Sequence, residues 1–267
     1  MDLQLSGTSA IIFGAARGIG RAIAARFLAE GCRVGLVDIS PVVTASAKEL
    51  DPTGKMTQAE VVDATDFAAV KAVEARLRTG FGRVDHVVYA VGIGSGKFGF
   101  PFWSLDPSDW DRVLRVNLVG AAVVAHAFAP NMAAAGTGTL LFLSSVAGQN
   151  GSQTDPPYSA AKAGLINFGI CAARDLAPHG VRVNTICPGM IQTDLNRSVW
   201  QAWADRQPAS ERQSYEEWAG EKVKKIVPLG RWQTPDDVAA MAVFLASPMA
   251  NNITGQTINV DGGYVMR

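Results

Sequence analysis

The feature that most constrains this chain is the shape of its apolar runs. AIIF at 10–13, RVGLV at 33–37 and TLLFL at 139–143 are continuous apolar stretches, without polar residues at every second position. A strand wetted on one face alternates; a strand covered on both faces by helices does not. Between these runs lie alanine-rich segments with apolar residues at helical spacing, such as Ile19, Ile23, Phe27 and Leu28. The pattern predicts strands at Ser9–Phe13, Arg33–Val37, His86–Ala90, Thr139–Leu143, Arg182–Ile186 and Thr257–Val260. It predicts helices at Gly18–Glu30, Ala68–Arg78, Asp109–Ala134, Tyr158–Leu176 and Pro235–Ala246. The last opens on Thr234 as N-cap, with proline first and two acids in its first turn. Strand–helix alternation along the whole length implies an α/β fold, a single doubly wound parallel sheet with helices on both faces. The 267 residues are expected to form one domain, 1–267, with an insertion lying over the sheet at about 195–225.

Composition removes several classes. Hydrophobic residues make up 48% of the chain and charged residues 18%, which excludes a disordered polymer. Equal numbers of basic and acidic residues, 24 of each, argue against a general nucleic-acid binder. Cys32, Cys171 and Cys187 are odd in number and contain no CxxC pair. His86, His126 and His179 are scattered, so neither a disulfide framework nor a metal centre is expected. The opening MDLQLSGTSAIIFG lacks the basic and apolar regions of a secretory signal. The stretch Val119 to Gly136 carries His126, Pro130 and Asn131 and reads as too interrupted to span a bilayer. A soluble cytoplasmic protein without membrane or nucleic-acid partners is the expectation.

Residues 13–20 read FGAARGIG, placing Gly14, Gly18 and Gly20 between the first strand and the first helix. Glycine permits a tight turn and lets backbone amides approach a pyrophosphate at the positive end of a helix. An ordinary glycine-rich turn would look the same, but Asp38 ends the second strand 18 residues after Gly20. A carboxylate there can accept from both ribose hydroxyls and repels a 2′-phosphate, which favours NAD over NADP. Arg17 within the loop points the other way, since a cation there could hold a phosphate.

Tyr158 and Lys162 lie four apart on a predicted helix and share a face. A tyrosine ionises near pH ~10, too high for a base at neutrality, unless a nearby ammonium and a cationic ring favour the phenolate. Such a phenolate could take the proton of a substrate hydroxyl as hydride leaves its carbon. Ser145, directly after a predicted strand, could orient the substrate oxygen, with Ser144 as the competing candidate. Asn117 in RVNLVG is unfavourable inside a helix and could hold a water near Lys162.

Taken together, these motifs make the chain resemble the short-chain dehydrogenase/reductase superfamily from about Gly7 to Met266. The resemblance rests on the glycine loop, Asp38, Asp63 in VVDATD, Asn117, Ser145, Tyr158-x3-Lys162, CPGMIQT at 187–193 and TGQTINVDGG at 254–263. It implies a Rossmann fold, a nicotinamide cofactor and the catalytic set Asn117, Ser145, Tyr158 and Lys162. It further implies that Asp63 and Ala64 lie near the adenine, and Pro188, Gly189, Ile191 and Thr193 near the nicotinamide. Ile19, Ile39, Ala90, Val91 and Gly92 complete the expected cofactor site with Gly14, Arg17, Gly18, Gly20, Asp38, Tyr158 and Lys162. Similar proteins are commonly homotetramers. Two positions depart from the family pattern. Phe13 stands where a threonine is usual, and Tyr89-Ala90-Val91-Gly92 where an Asn-Asn/Ala-Ala-Gly motif is usual. Aromatic packing of Phe13 on Tyr89 is expected to replace the polar tie between those two turns.

The segment VAGQNGSQTDPP between Ser145 and Tyr158 is polar, and 195–232 carries four of the six tryptophans: Trp200, Trp203, Trp218 and Trp232. Aromatic faces with amides and guanidinium groups suit a polyhydroxylated ligand. An amphipathic lid whose tryptophans face the core or a subunit partner is an equal alternative. Ser145, Gln149, Gln153, Tyr158 and Arg197 are the expected substrate contacts, with Lys97 or Arg197 available for an anionic group. The leading expectation is an NAD-dependent dehydrogenase of a sugar, polyol or sugar acid. An NADP-dependent 3-oxoacyl or small-ketone reductase is the alternative within enzymes. A non-catalytic dinucleotide-binding protein would lack part of the set that is present here.

Overall fold

In this computed structural model the described residues are 2–97, 99, 101–151 and 155–266. Seven parallel strands form one sheet: β1 (Ser9–Phe13), β2 (Arg33–Asp38), β3 (Thr57–Val61), β4 (His86–Tyr89), β5 (Gly138–Leu143), β6 (Val181–Pro188) and β7 (Thr257–Val260). Their order is β3-β2-β1-β4-β5-β6-β7. The strand order reverses between β1 and β4, where an open α/β sheet leaves a crevice beyond the strands' carboxyl ends. Phe13, Asp38, Tyr89, Leu143 and Pro188 therefore all end on one edge.

The strands β1, β4 and β5 are wholly buried, as their unbroken apolar runs require. One face is covered by α1 (Gly18–Ala29), α2 (Val42–Leu50) and α9 (Pro235–Ala246), with Ile12, Phe27, Leu36, Val88, Leu141 and Val243 in a common core. The other face packs on α3 (Phe67–Phe81), α5 (Gly120–Ala135) and α6 (Pro156–Leu176), around Phe13, Tyr89, Phe128, Phe142 and Leu165.

Two elements exceed the sequence expectation. Strand β3, TQAEV, is an edge strand of half-buried and exposed residues, so it never acquires an apolar run. Helix α2 buries Val43, Ser46 and Ala47, a stripe too short and polar to stand out. The long helix before β5 is not uniform. It runs as α4 (Ser108–Leu114), a π-turn (Arg115–Val119) and α5. An 18-residue window within this 28-residue run reaches a mean hydropathy of 1.5, so by length and composition alone the run could cross a membrane, which the expectation for 119–136 did not allow for. Here it packs against the sheet and its neighbouring helices, and the core helix of a soluble protein passes the same test.

The segment after β6 folds into α7 (Asp194–Ala204) and α8 (Tyr215–Ile226). Trp200, Trp203, Trp218 and Trp232 gather with Tyr215 and Val199 in a small core of their own. Trp203 stands 6.1 Å from Trp218, and Tyr215 lies 5.9 Å from Trp200 and 6.5 Å from Trp232, ring centre to ring centre. The tryptophans thus bind the two helices together, the inward-facing alternative.

Candidate active site

The strand edge gathers the candidate residues. After β1 the chain turns through the glycine loop, where Gly14 adopts φ +84° with its α-carbon against the Ala90–Val91 peptide. A methyl group on Gly14 would stand 2.9 Å from the Ala90 carbonyl carbon, so the loop lies directly on the end of β4. Gly18, at the start of α1, also has a positive φ of +57°, and apart from its chain neighbours and its own helix backbone no described residue comes within 4 Å of where its side chain would begin. The N-cap residue Arg17 makes no side-chain bond to the first-turn amides of α1. An open, uncapped helix N-terminus beneath a glycine loop suits a pyrophosphate. The Arg17 guanidinium instead reaches Asp194 of α7 at 3.0 Å, both side chains being largely exposed.

Asp38 is held by two backbone amides: Oδ2 accepts from Ala16 at 3.0 Å and Oδ1 from Ser40 at 2.9 Å. A carboxylate has about four lone-pair sites, so two remain for ribose hydroxyls. Beside it Ile39 is 66% exposed, an apolar face at the mouth of the crevice. Asp63 accepts from the Thr65 amide at 2.8 Å, followed by buried Ala64. Across the crevice, Ile191 is buried and bridges to Gln233, while Gly189 donates to the Val260 carbonyl. Thr193 is the N-cap of α7, its hydroxyl accepting from the Asn196 amide.

Asp155 caps α6 by accepting from the Tyr158 amide, and a buried Lys162 follows one turn later. The Tyr158 phenol is close enough to Ser145 to feel its hydroxyl, and the Ser145 Oγ accepts from the Ala147 amide at 3.1 Å. Ser144 faces elsewhere, donating to the Lys162 main-chain carbonyl at 2.8 Å. The geometry thus separates the two serines. The Lys162 ammonium lies 5.6 Å from the centre of the Tyr158 ring and donates to the Leu143 carbonyl at 2.8 Å. A longer bond, 3.4 Å, runs to Val91 at the end of β4. Asn117 sits in the π-turn with its side chain engaged throughout. Its Nδ2 donates to the carbonyls of Ile93 and Val113, and its Oδ1 accepts from the Ile93 amide. Both Asn117 Oδ1 and Lys162 Nζ border Gly92, each 3.4 Å from where a side chain there would begin.

Burial dominates the site's electrostatics in the free chain. It pushes the Tyr158 phenol up to about 12, the Ser145 bond pulling the other way, and it brings the Lys162 ammonium down to about 7. In the free chain the Tyr158 phenol is therefore raised, not lowered as the sequence alone suggests.

Not every expected substrate contact is free for that task. Gln149 and Asn259 exchange carboxamide bonds of 2.7 and 3.1 Å, which ties the loop after β5 to β7. Arg197 lies 4.2 Å over the Tyr215 ring and 3.8 Å from Glu216, on the seam between α7 and α8. Lys97 is paired with Asp109 at 2.6 Å. Gln153 lies outside the described residues. The sequence reading missed Asp155. Besides capping α6 it accepts from the Ser95 amide at 2.8 Å, joining the loop after β4 to the helix of Tyr158. Its signal was present, an acid immediately before Pro156 and Pro157.

A family model described as enoyl-(acyl carrier protein) reductase matches residues 14–265. A D-threitol dehydrogenase of Mycolicibacterium smegmatis is 33% identical over all of this chain and 96% of its own. An NAD-dependent glycerol dehydrogenase of Listeria innocua is 30% identical over all of this chain and 97% of its own. The crystal structure of an NAD+-bound xylitol dehydrogenase superposes with a TM-score of 0.89 over 97% of this chain and 100% of that one, at 25% identity. The chain belongs to the short-chain dehydrogenase/reductase superfamily. Within that superfamily its sheet is the Rossmann-type sheet expected, and the departures at Phe13 and Tyr89 have a direct structural reading. The two residues pair across β1 and β4, and their ring centres are 6.5 Å apart and tilted by 32°. Phe13 also meets Phe128 edge-on at 5.9 Å. Aromatic packing occupies the place of the usual polar tie.

Proposed function

We propose that the protein is an NAD-dependent dehydrogenase of small polyhydroxylated alcohols, acting on a secondary carbinol or a hemiacetal carbon. The observation that carries the reading is the doubly held Asp38 carboxylate beside an open glycine cradle, on the same edge as the Ser145–Tyr158–Lys162 cluster. Relatives named for threitol and glycerol, and a fold neighbour named for xylitol, support the substrate class. Bound NAD supplies the hydride acceptor and a positive ring. Gly14, Gly18, Ile19 and Gly20 receive the pyrophosphate, Asp38 and Ile39 the adenosine ribose and its base, with Asp63 and Ala64 alongside. Ala90, Val91, Gly92, Pro188, Gly189, Ile191 and Thr193 line the remainder. Ser145 holds the substrate hydroxyl, Tyr158 accepts its proton as the carbon gives up hydride, and Lys162 supports the phenolate. Asn117 fixes the backbone beside Lys162. In reduction the proton returns from Tyr158.

The chain acts in this reading as one catalytic domain whose α7–α8 segment is a lid, in a soluble cytoplasmic homotetramer. The test is cofactor reduction, with NAD and NADP compared, across tetritols, pentitols, hexitols, glycerol and sugar acids. NAD-linked turnover of one polyol class supports the proposal. Turnover only of 3-oxoacyl thioesters or apolar ketones with NADPH contradicts it. That second reading draws on the acyl description of the matching family, and Asp38 stands against it.

A further inference from the structure

The Tyr89 hydroxyl donates to the main-chain carbonyl of Val116. That carbonyl belongs to the π-turn that carries Asn117, where the Gly120 amide bonds back five residues to Arg115. A π-turn widens the helix and shifts its carbonyls off the regular ladder, and a buried carbonyl needs a donor. Two carbonyls, one just before this turn and one within it, take side-chain donors. Val113 takes the Asn117 carboxamide, and Val116 takes the phenol of Tyr89. Gly120 completes the fit. A methyl group there would overlap the Tyr89 oxygen and lie 3.3 Å from its ring carbon, so a bare α-carbon makes room for the hydroxyl. The Tyr89 ring is fully buried, and burial keeps its phenol protonated and therefore a donor.

We infer that Tyr89 is a positioning residue for the reaction, setting through Val116 the π-turn that places Asn117 beside Lys162. The connection is continuous. Tyr89 fixes Val116; Asn117 next to it clamps both backbone groups of Ile93; and Val91, two residues before Ile93, accepts from the Lys162 ammonium. Loss of the hydroxyl leaves the Val116 carbonyl without this donor, lets the turn relax toward an ordinary helix and loosens the backbone that holds Lys162. The substitution of the usual asparagine is therefore more than an exchange of polar for aromatic packing. It introduces a second anchor, from β4 to the long helix.

The inference rests on the assignment of Lys162 and Tyr158 to proton transfer, and its test separates the two. Tyr89→Phe keeps the ring and removes only the donor. It is expected to lower kcat about tenfold, the scale of one lost buried hydrogen bond, with KM for NAD little changed. The pH midpoint of kcat is expected to move upward as support for the phenolate weakens, which a general loss of stability would not produce. Gly120→Ala, which displaces the hydroxyl from the other side, is expected to give the same signature. The double variant should be no worse than the poorer single one, because both changes break one bond. Wild-type kcat and pH midpoint in Tyr89→Phe, or losses that multiply in the double variant, overturn the inference. Hydrogen exchange of the 113–120 amides in the free chain gives a readout that needs no substrate. Faster exchange there in Tyr89→Phe supports the link, and unchanged exchange overturns it even if no polyol is turned over. Retained turnover in Tyr158→Phe, by contrast, contradicts the catalytic assignment and leaves the exchange result standing.

Discussion

On the proposed reading, Asp38 selects the cofactor through a geometry that is set before any cofactor is bound. Two backbone amides fix its carboxylate, one from the glycine loop and one from the turn after β2. Asp38→Asn keeps one acceptor oxygen and removes the charge. Charge-assisted hydrogen bonds are worth about 1.5–3 kcal/mol, so kcat/KM for NAD should fall roughly 10- to 100-fold. Activity with NADP should rise relative to NAD, as the repulsion of a 2′-phosphate disappears. Unchanged NAD preference in this variant would contradict the role. The residues best read from sequence were those whose spacing is itself the geometry: Gly14/Gly18/Gly20, Asp38 and the Tyr158-x3-Lys162 pair. Those least legible, Gln149 and Arg197, are polar residues whose partners, Asn259 and Tyr215, come from remote parts of the chain. No local pattern reveals such a partner.

At the scale of elements, the site depends on how α6 begins. Asp155 accepts from the Tyr158 amide and from Ser95, so one carboxylate caps the helix and pins the loop after β4. Its burial pushes its own pKa up against those two bonds. Asp155→Ala should cost about 1–2 kcal/mol of stability, as the loss of an N-cap does. It should also lower kcat more than it raises KM for NAD, because Tyr158 lies in the first turn. A thermal melt together with steady-state kinetics checks this, and a variant that loses stability at full kcat would confine Asp155 to structure. Most elements were visible in the sequence because buried parallel strands and amphipathic helices have different periods. Strand β3 and helix α2 were not, since an edge strand such as TQAEV buries too little to need an apolar run. The π-turn was equally invisible. RVNLVG continues a helical pattern, and only the Tyr89 hydroxyl and the bare Gly120 reveal why the turn widens.

At the scale of the whole molecule, the sheet gathers the candidate site residues at its carboxyl edge and a buried histidine at the other. His86 begins β4 at that far edge, stacked 5.7 Å from Phe27, with Nδ1 bonded to Thr139 at 2.8 Å and Nε2 buried without a hydrogen-bond partner among the described residues. Burial holds the imidazole well below its ordinary pKa, against the attraction of Asp85. The folded chain therefore keeps His86 neutral where the unfolded chain takes up a proton. Below about pH 6.5 the unfolded state binds more protons, so stability falls with falling pH until the folded pKa is reached. The melting temperature should drop as the solution is acidified from about pH 6.5, and His86→Gln should flatten that acid limb. An equally steep limb in the variant would place the effect elsewhere. The doubly wound sheet was legible from the run-and-helix alternation, but the self-packed tryptophans of α7 and α8 were only one of two readings, because ring burial is decided by neighbours. The central claim is that this edge performs a proton-coupled hydride transfer with Tyr158 as the base. The most direct measurement compares wild type and Tyr158→Phe for NADH formation with the best polyol, alongside NAD binding followed by tryptophan fluorescence. The account predicts that turnover is lost, by a factor of about 100 or more, while NAD affinity stays within a fewfold. Turnover in Tyr158→Phe comparable to wild type would contradict it.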